Sequence, residues 1–559
     1  SSVFSAFPPP PSAMRVAVAL AAGSTAAFVP TTTTVTKWVV NQTCNSSTLY
    51  VAELANATAY EFPPQVIDLH GSRWQQGYDY ATILHKQAAA VWEAVTGNEL
   101  SKLELVIVQA VLDHMWDTEI VPHLDDQIKE ELAGVDQASK DAGVPEFGRL
   151  LRRGVGLSNF NGPPVGDIIW TIIHDLLEHS GDHPAITAAA PAALPPAARA
   201  AALVAAWDAL MARKTWVLNM GCSQFALWGG NTQGGKLLQG RNWDWAFNTG
   251  ADRYKLVTVW HPPEQGAQAY FIAGMAGLYG GIHGMNGLGV SITESTDDTK
   301  DMTAKKMPWT LHLRQVLETA TTTCDAAKKW IATNSSSGNN LIISAPKMVD
   351  GGEAEAAACA KALGVDRLSR ALVLETEAGH TAVLSDQDPR EAAATVKDPN
   401  THRDVPIGRP IKEGVFRTNH AFDPYFREHA MYPNTLSSNV KEAHAADTQL
   451  RYEVLSDAIA NGTAQGPLDV PGAITVAAHT GDKCHANSSF ATVCPYDTLL
   501  ECNGNTGSNI LSLVFAPEDL DVWMAFERGL GEARTPAGCN PYVQLGLKQF
   551  LQGDTSVVV

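Results

Sequence analysis

The chain has 559 residues, which is too long for one ordinary hydrophobic core and favours two or more lobes. Hydrophobic residues make up 45% and charged residues 18%, a composition typical of globular proteins. The formal net charge is −19, so the chain lacks the basic excess that neutralises phosphates, and nucleic acid is excluded as an expected partner.

Residues 1–29 have the pattern of a signal-like segment. Met14-Arg15 is followed by an apolar run from Val16 to Val29, which contains small residues and is too short to span a bilayer. Thirteen residues precede Met14, so the pattern leaves the natural start open. No other apolar run has membrane-spanning length. We expect a protein without a transmembrane segment, secreted or held in a lysosome- or vacuole-type compartment.

Glycosylation patterns and cysteines agree with an oxidising, secretory compartment. The alternative for the Asn-x-Ser/Thr patterns is chance in a Ser- and Thr-rich chain. The six predicted acceptors are Asn41, Asn45, Asn56, Asn334, Asn461 and Asn487. Among eight cysteines, Cys324 and Cys359 form a candidate disulfide, and one or two more disulfides are expected among Cys484, Cys494, Cys502 and Cys539, with the connectivity left open.

The predicted elements change in character along the chain. Residues 30–60 are rich in Thr and Asn and predict extended chain, and a helical pattern follows from Leu69 to Val144. Residues 186–212 begin as a Pro/Ala linker and end as an Ala-rich helix. Many short strands with a few long helices follow, which predicts α+β layering.

The change from helical to strand-rich patterns falls at a Gly-Cys junction, Gly221-Cys222. We predict an N-terminal, mostly helical segment over residues 30–221 and a catalytic domain over residues 222–559.

Cys222 follows the linker and opens a predicted β-hairpin that returns Arg241 and Asp244 beside it. A thiol attacks as the thiolate, so it needs a neighbouring base or positive charge. If the bond between Gly221 and Cys222 breaks, the new α-amine, with a pKa of about 7.7–8.0, becomes that base. The pattern predicts a self-cleaving hydrolase or acyltransferase. The alternatives are a buried structural or disulfide cysteine and, as nucleophile, Ser223.

Later residues supply candidates for the rest of the site. Attack on an amide creates an oxyanion, which needs preset donors, and Asn419 is a candidate donor, with Arg451 as a further candidate site residue. Plainer interpretations remain open. Arg241 and Asp244 also fit a surface ion pair at a strand end, Asn419 a turn residue, and Arg451 a solvated helix residue.

Seven segments carry a resemblance to a known family. In chain order they are LHGSRWQQGYDYA, EELAGVDQASKDAGV, GCSQFALWGGNTQGGKLLQGRNWDW, GIHGMNGLGVSIT, FRTNHAFDP, DTQLRYEVL and NILSLVFAPEDLDVWMAF. The ordered set resembles the cysteine-type Ntn hydrolases, most closely the acyl-coenzyme A:6-aminopenicillanic acid acyltransferases. Acid ceramidase, bile salt hydrolase and the phospholipase B-like proteins are more distantly similar.

The resemblance implies a four-layer αββα sandwich in the second part and autocatalytic cleavage that leaves two subunits from one precursor. It implies that Cys222 is the nucleophile, that its amine is the general base, and that Asp244 orients the amine. It further implies that Arg241 stabilises the thiolate or substrate, that Asn419 contributes to the oxyanion hole, and that Arg451 orders the cluster. It implies no cofactor.

Glu294 departs from the family pattern, because bile salt hydrolase-like members place an Asn after the Gly-Leu-Gly strand. Two alternatives stay open. Either backbone N–H groups supply the second oxyanion donor, or the substrate is of a different kind. Glu294, Trp243 and Tyr279 are candidate walls of a substrate pocket, with ion pairing and core packing as the alternatives.

A histidine cluster invites a metal interpretation that we do not favour. His174, His179 and His183 place two imidazoles on one helical face, but Gly181 is expected to end that helix, so we predict no metal.

The sequence therefore predicts an enzyme that acts on a linear carbon–nitrogen amide bond through an acyl-Cys222 intermediate. The expected partners are a small-molecule amide or lipid-like acyl substrate and the chain's own cleaved N-terminal subunit. One alternative keeps the fold but hydrolyses an ester or phospholipid. The other is an inert secreted glycoprotein.

Overall fold

A computed structural model describes residues 30–97, 102–158, 221–245, 251–297, 299–333, 335–398, 400–430, 447–478, 508–529 and 535–552. Several features named above lie outside the described residues. They are the signal-like segment, the 186–212 linker, His174, His179, His183, Asn334, Asn487, Cys484, Cys494 and Cys502.

The strands of the described residues are β1 Thr32–Cys44, β2 Ser47–Leu54, β3 Gln65–Leu69, β4 Gly221–Gly229, β5 Gly235–Trp245, β6 Lys255–Trp260, β7 Tyr270–Met275, β8 His283–Asn286, β9 Ser291–Thr296, β10 Asn339–Ser344, β11 Ala371–Thr376, β12 Thr381–Leu384, β13 Thr395–Lys397, β14 Asp404–Pro406, β15 Gly414–Arg417, β16 Ser508–Ala516, β17 Asp521–Phe526 and β18 Tyr542–Gln544.

The α-helices of the described residues are α1 Arg73–Gly97, α2 Lys102–Met115, α3 Asp126–Asp141, α4 Glu146–Ser158, α5 Trp309–Thr319, α6 Thr323–Thr333, α7 Glu353–Leu363, α8 Pro389–Ala392, α9 Pro424–His429, α10 Asp447–Thr463, α11 Val470–Ala478 and α12 Lys548–Leu551.

Sixteen of these strands are hydrogen-bonded one to the next in a continuous series. The series forms two sheets that share β1. The first sheet has the order β18-β17-β16-β5-β4-β15, and the second has the order β12-β11-β10-β9-β8-β7-β6-β3-β2-β1. The start of β1 pairs with β18 and the rest of it pairs with β2, so β1 belongs to both. β13 and β14 form a separate pair.

The two sheets lie face to face through polar side chains. The Gln224 amide of β4 donates to Ser295 Oγ of β9 at 3.1 Å and to the Asn340 carbonyl of β10 at 2.7 Å. The Gln239 amide of β5 donates to Thr293 Oγ1 of β9 at 2.8 Å. Because buried polar groups need partners, these bonds fix how the sheets stack.

Helices cover the outer faces of both sheets. On the first sheet, Asn242 donates to the Ala477 carbonyl of α11 at 2.8 Å. On the second, Asn286 donates to the Leu317 and Ala320 carbonyls, each at 2.8 Å, at the end of α5. Those carbonyls have no partner within their own helix, so the bonds dock the helix end on the sheet. The predicted four-layer αββα arrangement and the α+β class are confirmed.

The N-terminal segment opens with strands before its helices. β1, β2 and β3 precede α1 to α4, and β3 pairs in parallel with β6 of the second part. The described part of the segment is therefore helical from α1 to α4, while its first strands complete a sheet of the part that follows residue 221. The division at residues 221 and 222 stays a prediction.

Two glycines let α1 and α3 cross closely. A Cβ on Gly77 would lie 1.9 Å from the Glu131 carbonyl oxygen, and a Cβ on Gly134 would lie 1.9 Å from the Trp74 carbonyl oxygen. Both distances are far inside van der Waals contact, so each position accepts only glycine without a backbone shift. Both glycines belong to segments that carry the family resemblance.

The structure tests the expected disulfides and the expected lack of a transmembrane segment only for the described residues. Cys324 and Cys359 form a disulfide, as expected for that candidate pair. Among the described residues, Cys44 and Cys222 are free. Within the same part of the chain, we find no helix that is both long enough and apolar enough to cross a membrane.

Candidate active site

The β4–β5 hairpin places the predicted catalytic residues side by side. In its antiparallel register, Gly221 lies opposite Asp244, Cys222 opposite Trp243, and Gln224 opposite Arg241. All of these residues are buried. The sequence-based placement of Arg241 and Asp244 next to Cys222 therefore agrees with the register.

The Cys222 thiol lies against the Arg241 guanidinium. Arg241 Nη2 is 3.1 Å from Cys222 Sγ and 3.3 Å from Glu294 Oε2, while Nε donates to the Glu294 carbonyl at 2.7 Å. Arg241 Nη1 is 3.0 Å from His283 Nδ1. Because all three nitrogens are engaged, the guanidinium is held with one edge against the sulfur. We call Cys222, Arg241, His283 and Glu294 the thiol cluster.

The backbone of Cys222 is held by two side chains from distant parts of the chain. Its N–H donates to Asn419 Oδ1 at 2.8 Å, and its carbonyl accepts from Arg451 Nη1 at 2.5 Å. Arg451 Nη2 also donates to Asn419 Oδ1 at 2.8 Å. Asn419 Nδ2 donates to the Thr296 carbonyl at 2.7 Å, which fixes the orientation of the amide. Asn419 is half-buried and thus lies nearer the protein surface than Cys222.

Asp244 lies on the other side of the junction, opposite Gly221. It is fully buried, and its Oδ1 accepts from Asn509 Nδ2 at 2.8 Å. Asn509 Oδ1 in turn accepts from the Gly538 N–H at 2.9 Å, so the asparagine that orients Asp244 is itself oriented. In the uncleaved chain the Cys222 N–H is bonded to Asn419, so the predicted role of Asp244 in orienting the free amine stays a prediction.

Burial sets the protonation of the thiol cluster. Burial raises the pKa of the Cys222 thiol from its ordinary value to about 12, Arg241 lowers it, and the charges of Glu294 and Asp244 raise it further. The thiol is thus protonated at neutral pH and needs a base before it attacks. Burial also raises the pKa of Glu294 to about 7. Burial and Arg241 lower the pKa of His283 well below its ordinary value, so its ring is neutral and Nδ1 accepts from Arg241.

Comparison with known proteins gives one family match. Residues 230–349 match the family model described as acyl-coenzyme A:6-aminopenicillanic acid acyl-transferase. The resemblance to these acyltransferases is therefore confirmed over that span. The span includes Arg241, Asp244 and Glu294, and it begins after Cys222.

Two solved structures are similar at a low level. One is the Caenorhabditis elegans ortholog of N-acylethanolamine-hydrolyzing acid amidase, with 12% identity over 53% of this chain and 93% of the other, at a TM-score of 0.30. The second is a mutant conjugated bile acid hydrolase from Clostridium perfringens, with 11% identity over 55% and 89%, also at 0.30. These values are too low to carry an argument. No curated protein matches.

The span that matches the acyltransferase model also contains the three candidate pocket residues, Trp243, Tyr279 and Glu294. They lie in two different clusters. Trp243 lies beside the thiol cluster, with its ring centroid 5.9 Å from the Arg241 guanidinium carbon. Glu294 belongs to that cluster. Tyr279 belongs to another one, because its hydroxyl donates to Glu131 and its ring lies 5.0 Å from the Arg314 guanidinium.

We call Arg73, Glu131, Tyr279, Arg314 and Glu318 the Arg314 cluster. Arg314 Nη2 donates to both Glu131 oxygens at 2.8 and 3.0 Å, and Arg73 bonds to Glu318. Arg73 and Glu131 come from residues 30–221 and the other three from residues 222–559. The Arg314 cluster therefore joins the two parts by buried charges.

Sequence reasoning missed one member of the thiol cluster, His283, and one neighbour of it, Thr296. His283 binds Arg241, and Thr296 accepts from Asn419 through its carbonyl. His283 lies in GIHGMNGLGVSIT, a segment whose glycines indicate a tight turn and whose histidine was the available signal. Thr296 contributes its backbone carbonyl to Asn419, for which the sequence holds no signal, and its hydroxyl donates to Glu294 Oε1 at 3.1 Å.

The predicted glycosylation sites that the structure describes lie at the surface. Asn41, Asn45, Asn56 and Asn461 are exposed. Asn45 differs from the others because its Nδ2, the atom that would carry the glycan, donates to Asp79 Oδ1 at 2.6 Å. Glycosylation itself stays a prediction.

One group of described residues has the composition of a metal site. Asp68, His70 and His261 bring one carboxylate and two imidazoles together, and no sequence pattern had singled them out. The available signals were an Asp-Leu-His run at the end of β3 and a histidine directly after β6.

Proposed function

We propose that the chain cleaves itself before Cys222 and then acts as an N-terminal-nucleophile hydrolase or acyltransferase on a linear amide bond. The observation that carries the proposal is the complete set of contacts at one residue. Cys222 has its sulfur against Arg241, its N–H on Asn419 and its carbonyl on Arg451. A structural cysteine needs none of these, whereas a nucleophile whose backbone also reacts needs all of them. The match to an acyltransferase family supports an enzyme.

Self-cleavage begins with attack of Cys222 Sγ on the Gly221 carbonyl carbon. A C–S bond forms, the C–N bond breaks, and the proton of the thiol passes to the departing Cys222 nitrogen. Water then hydrolyses the thioester, which leaves a carboxylate on Gly221, a thiol on Cys222 and a free α-amine. The Asn419 contact on the Cys222 nitrogen supports this step, because it orients that nitrogen before the bond breaks.

The free amine is then the base that the buried thiol requires. It takes the proton of the thiol, the thiolate attacks the substrate carbonyl, and the protonated amine returns the proton to the leaving nitrogen. Attack of water on the acyl-Cys222 thioester gives hydrolysis, and attack of a second amine gives acyl transfer. In this scheme Arg241 stabilises the thiolate, Asp244 orients the amine, and Asn419 with nearby backbone N–H groups binds the oxyanion.

The N-terminal piece remains bound after cleavage as a second subunit. The Arg314 cluster supports this proposal, because separating the pieces would break the two hydrogen bonds from Arg314 to Glu131 and the pairing of Arg73 with Glu318. The pairing of β3 with β6 supports it as well, since it joins the same two pieces by backbone hydrogen bonds. The proposed setting is a secretory or lysosome- or vacuole-type compartment.

The test compares the wild-type chain with Cys222→Ala. Wild type should run as pieces of about 24 and 36 kDa, scaled from 59.7 kDa for 559 residues, and incubation with N-acyl amides should give acyl-Cys222 by mass spectrometry. Cys222→Ala should remain one chain and lose at least about 10³-fold in activity. Cys44→Ala removes the other free cysteine of the described residues and should change neither result.

Two outcomes would change the proposal. Cleavage that persists in Cys222→Ala would assign the cut to an outside protease and remove the self-cleavage step. Faster turnover of lysophospholipids than of N-acyl amides would replace the amide by an ester as substrate while keeping Cys222 as nucleophile.

A further inference from the structure

The group Asp68, His70 and His261 lies at one end of the parallel pair β3 and β6, in the sheet that does not contain β4 and β5. In the register of β3 with β6, Leu69 lies opposite Trp260, so His70 and His261 follow as the next neighbours across the pair. Asp68 is two residues before His70 and shares its face of the strand. The topology therefore brings three metal-binding side chains from distant parts of the sequence to one place.

The side chains converge on a common point. Asp68 Oδ2 is 2.9 Å from His70 Nε2, and Asp68 Oδ1 is 2.7 Å from His261 Nε2. The two imidazole rings stack with centroids 4.0 Å apart and planes 14° apart. One donor atom from each residue lies within 4.8 Å of the other two, which leaves the small adjustment that coordination of one ion requires.

The backbone under the group is fixed. The His261 N–H donates to the Leu69 carbonyl at 3.2 Å, and the His70 N–H donates to Ser47 Oγ at 3.1 Å. The buried Gln76 amide donates to the His261 carbonyl at 2.6 Å. The three side chains are thus presented from rigid positions, which lowers the entropy lost when a ligand orders them.

We propose that Asp68, His70 and His261 form a binding site for one divalent transition-metal ion of the zinc type. Two imidazole nitrogens and one carboxylate oxygen suit Zn²⁺, whereas Mg²⁺ and Ca²⁺ prefer oxygen ligands alone. The side chains of His70, His261 and Asp68 are 39%, 18% and 14% exposed, so an ion enters from solvent and water completes its coordination.

The site spans the proposed cleavage point. Asp68 and His70 belong to residues 30–221, and His261 belongs to residues 222–559. A bound ion therefore ties the two pieces together at the surface. The metal site requires only the folded chain, so it stands whether or not Cys222 is a nucleophile.

The test uses the full chain with Cys222→Ala, which removes the buried thiol as a competing ligand. Calorimetric titration with Zn²⁺ near neutral pH should show one ion per chain. Co²⁺ should give the visible absorption of a low-symmetry site without a thiolate charge-transfer band. His70→Gln and His261→Gln should each weaken Zn²⁺ binding by at least about 100-fold, more than loss of an outer-shell partner does. His402→Gln, an exposed histidine elsewhere, should bind as the parent does.

A second variant covers the case in which a histidine variant does not fold. Asp68→Asn keeps the size of the side chain and removes its charge, and it should also weaken Zn²⁺ binding while its circular dichroism matches the parent. The proposal is overturned if the folded parent takes up no Zn²⁺, or if Asp68→Asn and His261→Gln bind it as tightly as the parent.

Discussion

Arg241 and Arg314 are both buried beside a glutamate, yet they use their donors differently. Arg314 gives Glu131 two hydrogen bonds of 2.8 and 3.0 Å. Burial disfavours its charge, but Glu131 and Tyr270 raise the pKa of Arg314 well above its ordinary value. Arg241 reaches the Glu294 carboxylate with one nitrogen at 3.3 Å and divides its other contacts among a thiol, an imidazole and a carbonyl.

The difference separates a structural pair from a reactive one. Arg314 Nη2 bonds to Glu131, Nε to the Tyr270 hydroxyl and Nη1 to the Tyr279 carbonyl, so Arg314 holds two parts of the chain together and offers no unused nitrogen to a substrate. Glu294 has a pKa of about 7, so it can take a proton at moderate cost and release Arg241 from the ion pair. Incomplete pairing leaves the Arg241 charge available to the thiolate that catalysis creates.

The largest expected effect is on stability, from Arg314→Met. Removing this arginine leaves the buried Glu131 with only the more distant Arg73, 4.0 Å away, as a charge partner, which costs about 3–5 kcal/mol in the free energy of unfolding. Urea denaturation followed by fluorescence measures it. Arg149→Met is the matched control, because Arg149 is more than half exposed and pairs with Asp113 only at 3.9 Å, so it should stay within about 0.5 kcal/mol of wild type. Equal midpoints for the two variants would contradict the structural role of the Arg314 cluster.

Arg241→Met should reduce activity strongly and stability less, the reverse of Arg314→Met. We expect kcat/KM for N-acyl amides to fall by about 10²–10³-fold, the usual effect of losing one donor to a developing negative charge. The loss of stability should be smaller than for Arg314→Met, because Glu294 can accept a proton. Full activity in Arg241→Met, or a loss of stability as large as that of Arg314→Met, would remove the distinction between the clusters.

Arg451→Lys tests the positioning of Cys222 at a smaller scale. Lysine keeps the charge but cannot bond to the Cys222 carbonyl and Asn419 with two separate nitrogens, so kcat should fall by about 10- to 100-fold and self-cleavage should slow. KM should change less than kcat. Arg409→Lys, which alters a surface pair with Asp457, is the control. A change in KM alone would instead place Arg451 in substrate binding.

The smallest effect is expected on the pH profile, from Glu294→Gln. Ionised Glu294 raises the pKa of the Cys222 thiol, so its ionisation above about pH 7 should lower wild-type kcat/KM relative to that of Glu294→Gln, by about tenfold for each unit by which the thiol pKa rises. The free amine loses its proton in the same range in both proteins, so the ratio of kcat/KM for Glu294→Gln to that for wild type, followed from about pH 5 to 9, isolates the effect of Glu294 and should rise through about pH 7. The same ratio for Glu318→Gln, a carboxyl whose pKa burial also raises, should stay constant.

The same shift predicts the sign of a stability change. The pKa of Glu294 in the folded chain, about 7, lies above its ordinary value of 4.5, so the folded state binds the proton more tightly. Its contribution to stability is full below about pH 4.5 and is lost as the pH rises through about 7. Unfolding midpoints of Glu294→Gln should lack this component, and an unchanged pH dependence would count against a raised pKa.

The site contacts that a single hairpin determines could be predicted from the sequence. A short turn between β4 and β5 sets the register that brings Arg241 and Asp244 to Cys222, and the family resemblance added Asn419 and Arg451. Pairing between distant strands could not be predicted in this way. His283 joins the thiol cluster, and His70 meets His261, through pairings whose register the local sequence does not determine. Tyr279 stands near the family motifs in sequence, but its hydroxyl bonds to Glu131.

The place of β1, β2 and β3 in the strand order has a further consequence for a cleaved protein. They lie between β6 and β18, so removing the N-terminal piece would uncover two strand edges at once, each with a row of unpaired backbone N–H and C=O groups. Such edges recruit strands from other molecules and lead to aggregation. The small subunit would therefore act as a built-in cap that keeps the large one from self-association, and the large subunit produced alone should precipitate.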